Sequence, residues 1–344
     1  MKTALQGIGG LLLAALLLYL VFRNIDRQNL RNALAMVSWP ALAAGAAINI
    51  GHNVFRVYRW RALLEPVRRA VALRPLFVSV ILGYMTTWIL PGRVGELVRP
   101  ALLSARENLP LGPTLGTVVA DRLLDGVAIV VLFAVGSMTA RFAAGSAALA
   151  GQIRVTAAVS AAAVLAGLAM LVATSSSGEK LERWLRGRSA PLRWIGRVAV
   201  GLSRGADALR SPRLLAKILA HSLLAWTTIA LGTWIGIRAV GADVSFADVL
   251  VMLPLLALGV SIPTPGGVGG YHAAMQIGLT RLFGVDPTTA ASAGLLMHVA
   301  IVAPILIAGP VLLYTERLSL ADLVAAGKQV RALGGEASFT GATG

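Results

Sequence analysis

Arg93, Glu96 and Arg99 follow Pro91-Gly92 inside an otherwise apolar stretch, and their chemistry is that of an anion site. A guanidinium binds phosphate through two parallel hydrogen bonds. Free amides at the start of a broken helix favour the same ligand. Glu96 and Arg99, three residues apart, are placed to pair on one helix face, which leaves Arg93 for an anion. An internal salt-bridge lock between helices is the competing reading. A second group is Asp121, Arg122 and Asp125. Two carboxylates one helical turn apart suggest acid–base work, but the arginine between them, set to pair with Asp125, favours an ion-pair network. A proton relay stays open, because carboxylates within membranes serve that role. Asn49, His52, Asn53 and Arg56 fall at i, i+3, i+4 and i+7 and share a helix face. That face either lines a cavity or makes hydrogen bonds between helices. Ser261, Thr264, Tyr271 and His272 flank a second Pro/Gly break, as a wet lining or a device for close packing. His221 and His298 stand alone in the sequence.

The elements that must position these residues are apolar helices. The 344-residue chain is 57% hydrophobic and 13% charged, with a mean hydropathy of +0.76. A soluble protein this apolar lacks the polar groups to cover its surface. A bilayer core takes about 20 helical residues. Full spans are expected at Ala4–Phe22, Trp39–Val57, Thr114–Ser137, Ile153–Ala173, Leu214–Ile237 and Thr289–Tyr314. Two shorter stretches stop at proline-glycine breaks. Leu76–Leu90 ends at Pro91-Gly92 and resumes as Val94–Arg106; Phe246–Ile262 ends at Pro263 and resumes as Val268–Phe283. Each is expected to form a re-entrant or broken helical hairpin, over 76–106 and 246–283. Irregular backbone at membrane depth is tolerated where it is buried in protein or lines a wet cavity. Pro91-Gly92-Arg93-Val94-Gly95 and Pro265-Gly266-Gly267-Val268-Gly269 both fit P-G-x-V-G. Paired interruptions in the two halves of a chain point to an inverted repeat around a binding site.

The fold expected is therefore an all-α polytopic membrane protein, with about six full spans and two hairpins in one domain over 1–316. Arg59, Arg61, Arg68, Arg69 and Arg74 mark one cytoplasmic loop, and the basic residues of 174–213 mark another. Both termini are then cytoplasmic, with Arg23, Arg27 and Arg31 of the first loop as a mild counter-signal. In 174–213, Leu181, Trp184 and Leu185 oppose Lys180, Arg183 and Arg186, as expected of helices lying on anionic lipid. The tail, 317–344, reads as partly disordered. The net charge of +16 sits mostly in loops between apolar spans, which suits anionic headgroups rather than nucleic acid. Absence of cysteine excludes disulfides and thiol chemistry. No metal site, cofactor fingerprint or catalytic motif stands in a credible context, so no cofactor is expected.

These same residues carry a family resemblance. Arg56, Arg59-Trp60, Leu63-Leu64, the Pro91-Gly92-Arg93…Gly95-Glu96…Arg99 run, Arg122…Asp125 and Pro263…Pro265-Gly266-Gly267…Gly269 resemble the lysylphosphatidylglycerol synthase transmembrane region, a flippase-like family. The resemblance runs from about Leu11 to Tyr314. It implies two re-entrant elements and the movement of lipids or lipid-linked sugars across the inner membrane. Two-domain members carry a soluble aminoacyltransferase after the membrane part; this chain resembles the translocase portion, and lysyl transfer is not expected of it. Asp121 and His272 stand where the family pattern leads one to expect Glu. The expected headgroup ligands are Arg56, Arg93, Glu96, Arg99, Arg122 and Asp125. Asn49, His52, Asn53, Asp121, Thr264, Tyr271 and His272 are expected to line the cavity. Pro91, Gly92, Gly95, Pro263, Pro265, Gly266, Gly267 and Gly269 are expected to form the turns. A membrane-embedded transferase on a lipid carrier, and a scaffold for a lipid-modifying enzyme, are the rival functions.

Overall fold

The computed structural model describes residues 2–23, 25–90, 94–143, 147–174, 207–262 and 264–339, and the regular structure among them is all helix, with no strand. Pro91, Gly92, Arg93 and Pro263 lie outside the described residues, as do most of the basic 174–213 loop and its expected interfacial helices. The helices are α1 (Lys2–Phe22), α2 (Arg27–Ala35), α3 (Trp39–Leu64), α4 (Leu73–Ile89), α5 (Gly95–Glu107), α6 (Leu111–Thr139), α7 (Ala147–Thr174), α8 (Pro212–Ala239), α9 (Phe246–Ser261), α10 (Gly270–Ile277), α11 (Pro287–Thr315) and α12 (Leu320–Phe339). Among the described residues, three stretches are long and apolar enough to cross a membrane, within α7, α8 and α11; α2 and α3, bent by 80° at their junction, make a fourth if counted as one span. The first loop is thus part helix: Asp26 caps α2, its carboxylate accepting from Gln28 N at 3.0 Å.

The two interrupted segments fold back on themselves. In the first, α5 returns along α4 so closely that a Cβ on Gly95 would collide with the Gly83 carbonyl oxygen. In the second, α10 returns along α9, and a Cβ on Gly270 would collide with the Gly259 carbonyl oxygen. Both limbs therefore touch backbone to backbone, the packing that membrane helices use in place of a hydrophobic driving force. The second turn is a short 3-10 segment, Pro265–Gly267. Gly266, Gly267 and Gly269 there adopt φ of 64°, 64° and 86°, a region that side chains disfavour.

The hairpins meet. Trp88, near the end of α4, packs its ring on Gly267 and sits edge-on to His298 of α11, centroids 5.8 Å apart. Around this junction lie three apolar clusters: one among α8, α9, α10 and α11; one joining the end of α3 to α4 and α6; and a smaller one in which Leu323 of α12 packs with Val78, Leu82, Val98 and Ile305. That last cluster takes in part of the tail. Residues 320–339 form α12, and Leu323 is fully buried. Glu316 at the end of α11 ties that helix to the start of α4 and the end of α5, accepting from Arg106 at 2.7 Å and from Arg74 at 3.1 Å.

Candidate functional site

α6 carries the centre of the site. Asp121 and Asp125, one turn apart, are buried, and arginines from three helices converge on them. Asp125 receives Arg59 at 2.8 Å, Arg122 at 3.1 Å and Arg56 at 3.2 Å. The Trp226 indole N–H, from α8, donates to the same carboxylate at 2.8 Å. Asp121 receives Arg99 at 2.8 Å and Arg122 at 3.2 Å. Arg59 Nη2 also lies 2.7 Å from Asp121 Oδ1, close but off the hydrogen-bond direction. Glu96 completes the cluster 3.6 Å from Arg122. Among the described residues, four guanidiniums thus meet three carboxylates, an excess of one positive charge.

Aromatic groups hold the arginines in place. Arg99 stacks over Trp60 at 4.4 Å, and the Trp60 N–H donates to Thr117 Oγ1 at 3.0 Å. Arg56 donates to Tyr84 Oη at 2.7 Å and lies over the Trp226 ring at 5.5 Å. A cation over an aromatic face is stabilised most where water is excluded.

The cluster opens on a cavity of about 720 Å³ between the two hairpins. Arg56, Glu96, Arg122 and Asp125 form one end, with Tyr84 and Trp226. Leu115, Val118, Leu253, Val260, Ile301 and Ile305 give apolar walls. Thr264, Gly267, Tyr271 and His298, at and beyond the second turn, complete the lining. The cavity thus combines charged, polar and apolar walls.

Several expectations need correcting. Glu96 does not pair with Arg99: Glu96 reaches Arg122, and Arg99 reaches Asp121. Arg99 and Asp121 sit behind the cavity wall as its buried support, since the lining stops at Arg122 and Asp125. Asn53 turns away, its amide donating to Ile50 O at 3.0 Å. His272 also stays out of the lining; its Nδ1 accepts from Gly269 N at 3.3 Å and caps the second turn. Asn49, His52, Thr264 and Tyr271 do line the cavity. Asn49 in addition donates to Ile229 O at 3.3 Å, tying α3 to α8.

Sequence reasoning missed three residues. Arg59 counted there as a loop residue, but α3 continues to Leu64, and Arg59 is fully buried between both aspartates. Its spacing from Arg56, three residues on the same helix face, was the available signal. Trp226 and His298 carry no local signal. His298 is not isolated in space: its ring stacks on His272 with centroids 4.8 Å apart.

Known proteins extend the picture. Glycosyltransferase AglD of Haloferax volcanii is 24% identical over 353 aligned residues, which cover 94% of this chain. The same alignment covers 56% of that protein, so the chain spans little more than half of this curated relative's length. The family model of the lysylphosphatidylglycerol synthase transmembrane region matches residues 7–309, a stretch that holds both hairpins and every arginine of the cluster; the chain belongs to this family and is a multi-pass membrane protein.

Proposed function

We propose that the chain translocates a lipid bearing a phosphate headgroup, passing it through the cavity between the two hairpins. One observation carries this reading: a single cavity joins a guanidinium-rich end to long apolar walls. A lipid phosphate presents the matching pair of surfaces. The excess positive charge offsets an anionic headgroup, and Arg56 and Arg122 face the cavity to meet it. Arg93, next to the first turn in sequence, adds a further guanidinium in this scheme. The two P-G-x-V-G breaks act as an inverted pair that exposes the cavity alternately to each face. The membrane is the inner one, with both termini cytoplasmic.

A membrane-embedded transferase is the second reading, favoured by the name of the Haloferax relative. The geometry weighs against Asp121 and Asp125 as its base. Each of their four carboxylate oxygens already faces a guanidinium at 2.7–3.2 Å.

The test is reconstitution in vesicles with fluorescent phosphatidylglycerol and a membrane-impermeant quencher. Arg122→Gln and Arg93→Ala should each slow transfer about tenfold or more, the loss expected for a charged hydrogen bond worth roughly 1.5–3 kcal/mol. Transfer at the parent rate in both variants removes the translocase reading. Labelled sugar passed from a nucleotide donor to a lipid by the purified chain establishes the second.

A further inference from the structure

The arginines of the first loop run against the charge bias of the proposed orientation, and they gather around α2. From Tyr19 to Trp39 the sequence carries Arg23, Arg27 and Arg31 against a single carboxylate, Asp26. That carboxylate is occupied in capping the start of α2. Arg23 and Arg31 are exposed, and neither guanidinium has an ion-pair partner among the described residues.

α2 lies across the spans. α3 packs along α8 so closely that a Cβ on Gly45 would come within 2.8 Å of the Gly232 carbonyl oxygen. Ser38 N, at the start of α3, donates to Ala239 O, at the end of α8, at 2.9 Å. α8 is long and apolar enough to cross a membrane, so α3 crosses beside it in the opposite sense. The 80° bend between α2 and α3 then lays α2 along the membrane surface. Its residues suit that place. Leu30, Ala33 and Leu34 are half-buried and Val37 is buried, with α11 packed on the helix, while Gln28, Arg31 and Asn32 are exposed. Large apolar side chains stay uncovered on both flanks: Tyr19 is 63% exposed, Met36 84% and Trp39 58%. Tyrosine and tryptophan side chains of this kind settle at headgroup level. Basic amphipathic helices bind the interface through buried apolar area together with attraction to anionic lipid. The unpaired guanidiniums choose among headgroups. A phosphatidylcholine headgroup brings its own cation, whereas a net-negative headgroup offsets an arginine, its phosphate taking two hydrogen bonds from one guanidinium.

We infer that α2 and its flanks form a site, on the outside of the helix bundle, for anionic phospholipids of the leaflet in which α2 lies. Arg23 and Arg31 meet the headgroups, and Tyr19, Met36 and Trp39 enter the upper acyl region. The site is separate from the cavity and stands whether or not the chain translocates lipid.

The chain has no cysteine, so a single introduced thiol reports locally. Met36→Cys carries a fluorophore beside α2, and Val159→Cys, at a position 63% exposed on α7, carries it as the control. Each full-length protein is reconstituted in equimolar phosphatidylglycerol and phosphatidylcholine, with a doxyl quencher on the acyl chain of one lipid or of the other. The bulk composition is then constant, and the ratio of the two quenching efficiencies gives the local enrichment. The expected result at Met36 is enrichment of phosphatidylglycerol by about fivefold or more, the factor for one basic residue at a charged membrane surface, against a ratio near one at Val159. Arg23→Gln combined with Arg31→Gln should bring the Met36 ratio towards one, and high salt should lower it by screening. Both side chains are exposed and unpaired, so the double variant keeps its fold. A ratio near one at Met36, an equal ratio at both sites, or an undiminished ratio in the double variant overturns the inference. Absence of quenching by either lipid at Met36 overturns it as well, because α2 then lies outside the membrane.

Discussion

Asp125→Asn strands a charge, and the size of the effect follows from which arginine is left behind. Asp125 pairs with Arg56, Arg59 and Arg122. Arg59 keeps Asp121 after the change, and Arg122 keeps Asp121 and Glu96. Arg56 has no second carboxylate among the described residues, only the Tyr84 hydroxyl and the aromatic faces. Two unit charges about 4 Å apart attract by roughly 4 kcal/mol at an effective dielectric near 20. Breaking a buried pair by removing one partner typically costs about 3–5 kcal/mol, because the other charge stays buried. We expect Asp125→Asn to lie in that range. Adding Arg56→Gln removes the stranded charge, so the double variant should recover roughly 1–3 kcal/mol relative to Asp125→Asn. Reversible unfolding of the four proteins in mixed micelles, followed by tryptophan fluorescence, closes the cycle. The reasoning is refuted if Asp125→Asn matches the parent, or if the double variant is no more stable than Asp125→Asn.

Other outcomes follow from the same geometry. Gly95→Ala and Gly270→Ala each force a methyl into a facing carbonyl and should destabilise by about 2–4 kcal/mol as overpacking and backbone displacement combine. Gly126→Ala, where a Cβ meets nothing within 4 Å, should be neutral in the same assay. Hydrogen bonds from Arg106 and Arg74 hold the Glu316 carboxyl below its ordinary value of 4.5. Its folded value being the lower one, the fastening of α11 to α4 and α5 is complete above the ordinary carboxylate range and weakens as pH falls through and below it. Hydrogen exchange around Glu316 should accelerate over that acid range, and Glu316→Gln should abolish the pH dependence. A reporter fused at Gly145 should appear on the face opposite the cytoplasm; a cytoplasmic signal would invert the orientation.

Much of the architecture was readable because it is local. The limits of α4 and α5 follow from Pro91-Gly92, and those of α9 and α10 from the Pro/Gly run after Ile262. The Arg122–Asp125 contact needs only i,i+3 spacing. What failed were particular pairings set by helices meeting from afar. Arg99 finds Asp121 22 residues away rather than Glu96 three away, because the α4–α5 glycine crossing presses Arg99 towards α6. Arg59 looked like a loop charge because basic residues at the end of an apolar run usually are. Burial in an ion cluster requires α6, whose aspartates lie more than 60 residues on. The Ala/Gly content of the tail reads as partly disordered, and within it α12 buries a face bearing Leu323 and Val330.

The glycine crossings have a mechanical corollary. With carbonyl oxygens seated where side chains would be, neither hairpin has slack between its limbs, so α4 and α5 travel as one rigid wedge and α9 and α10 as another. In the proposed translocation, opening and closing would be a rocking of whole wedges about their seam at Trp88 and Gly267. A covalent staple between α4 and α5 would leave such motion untouched, whereas one joining the Trp88 and Gly267 segments would arrest it.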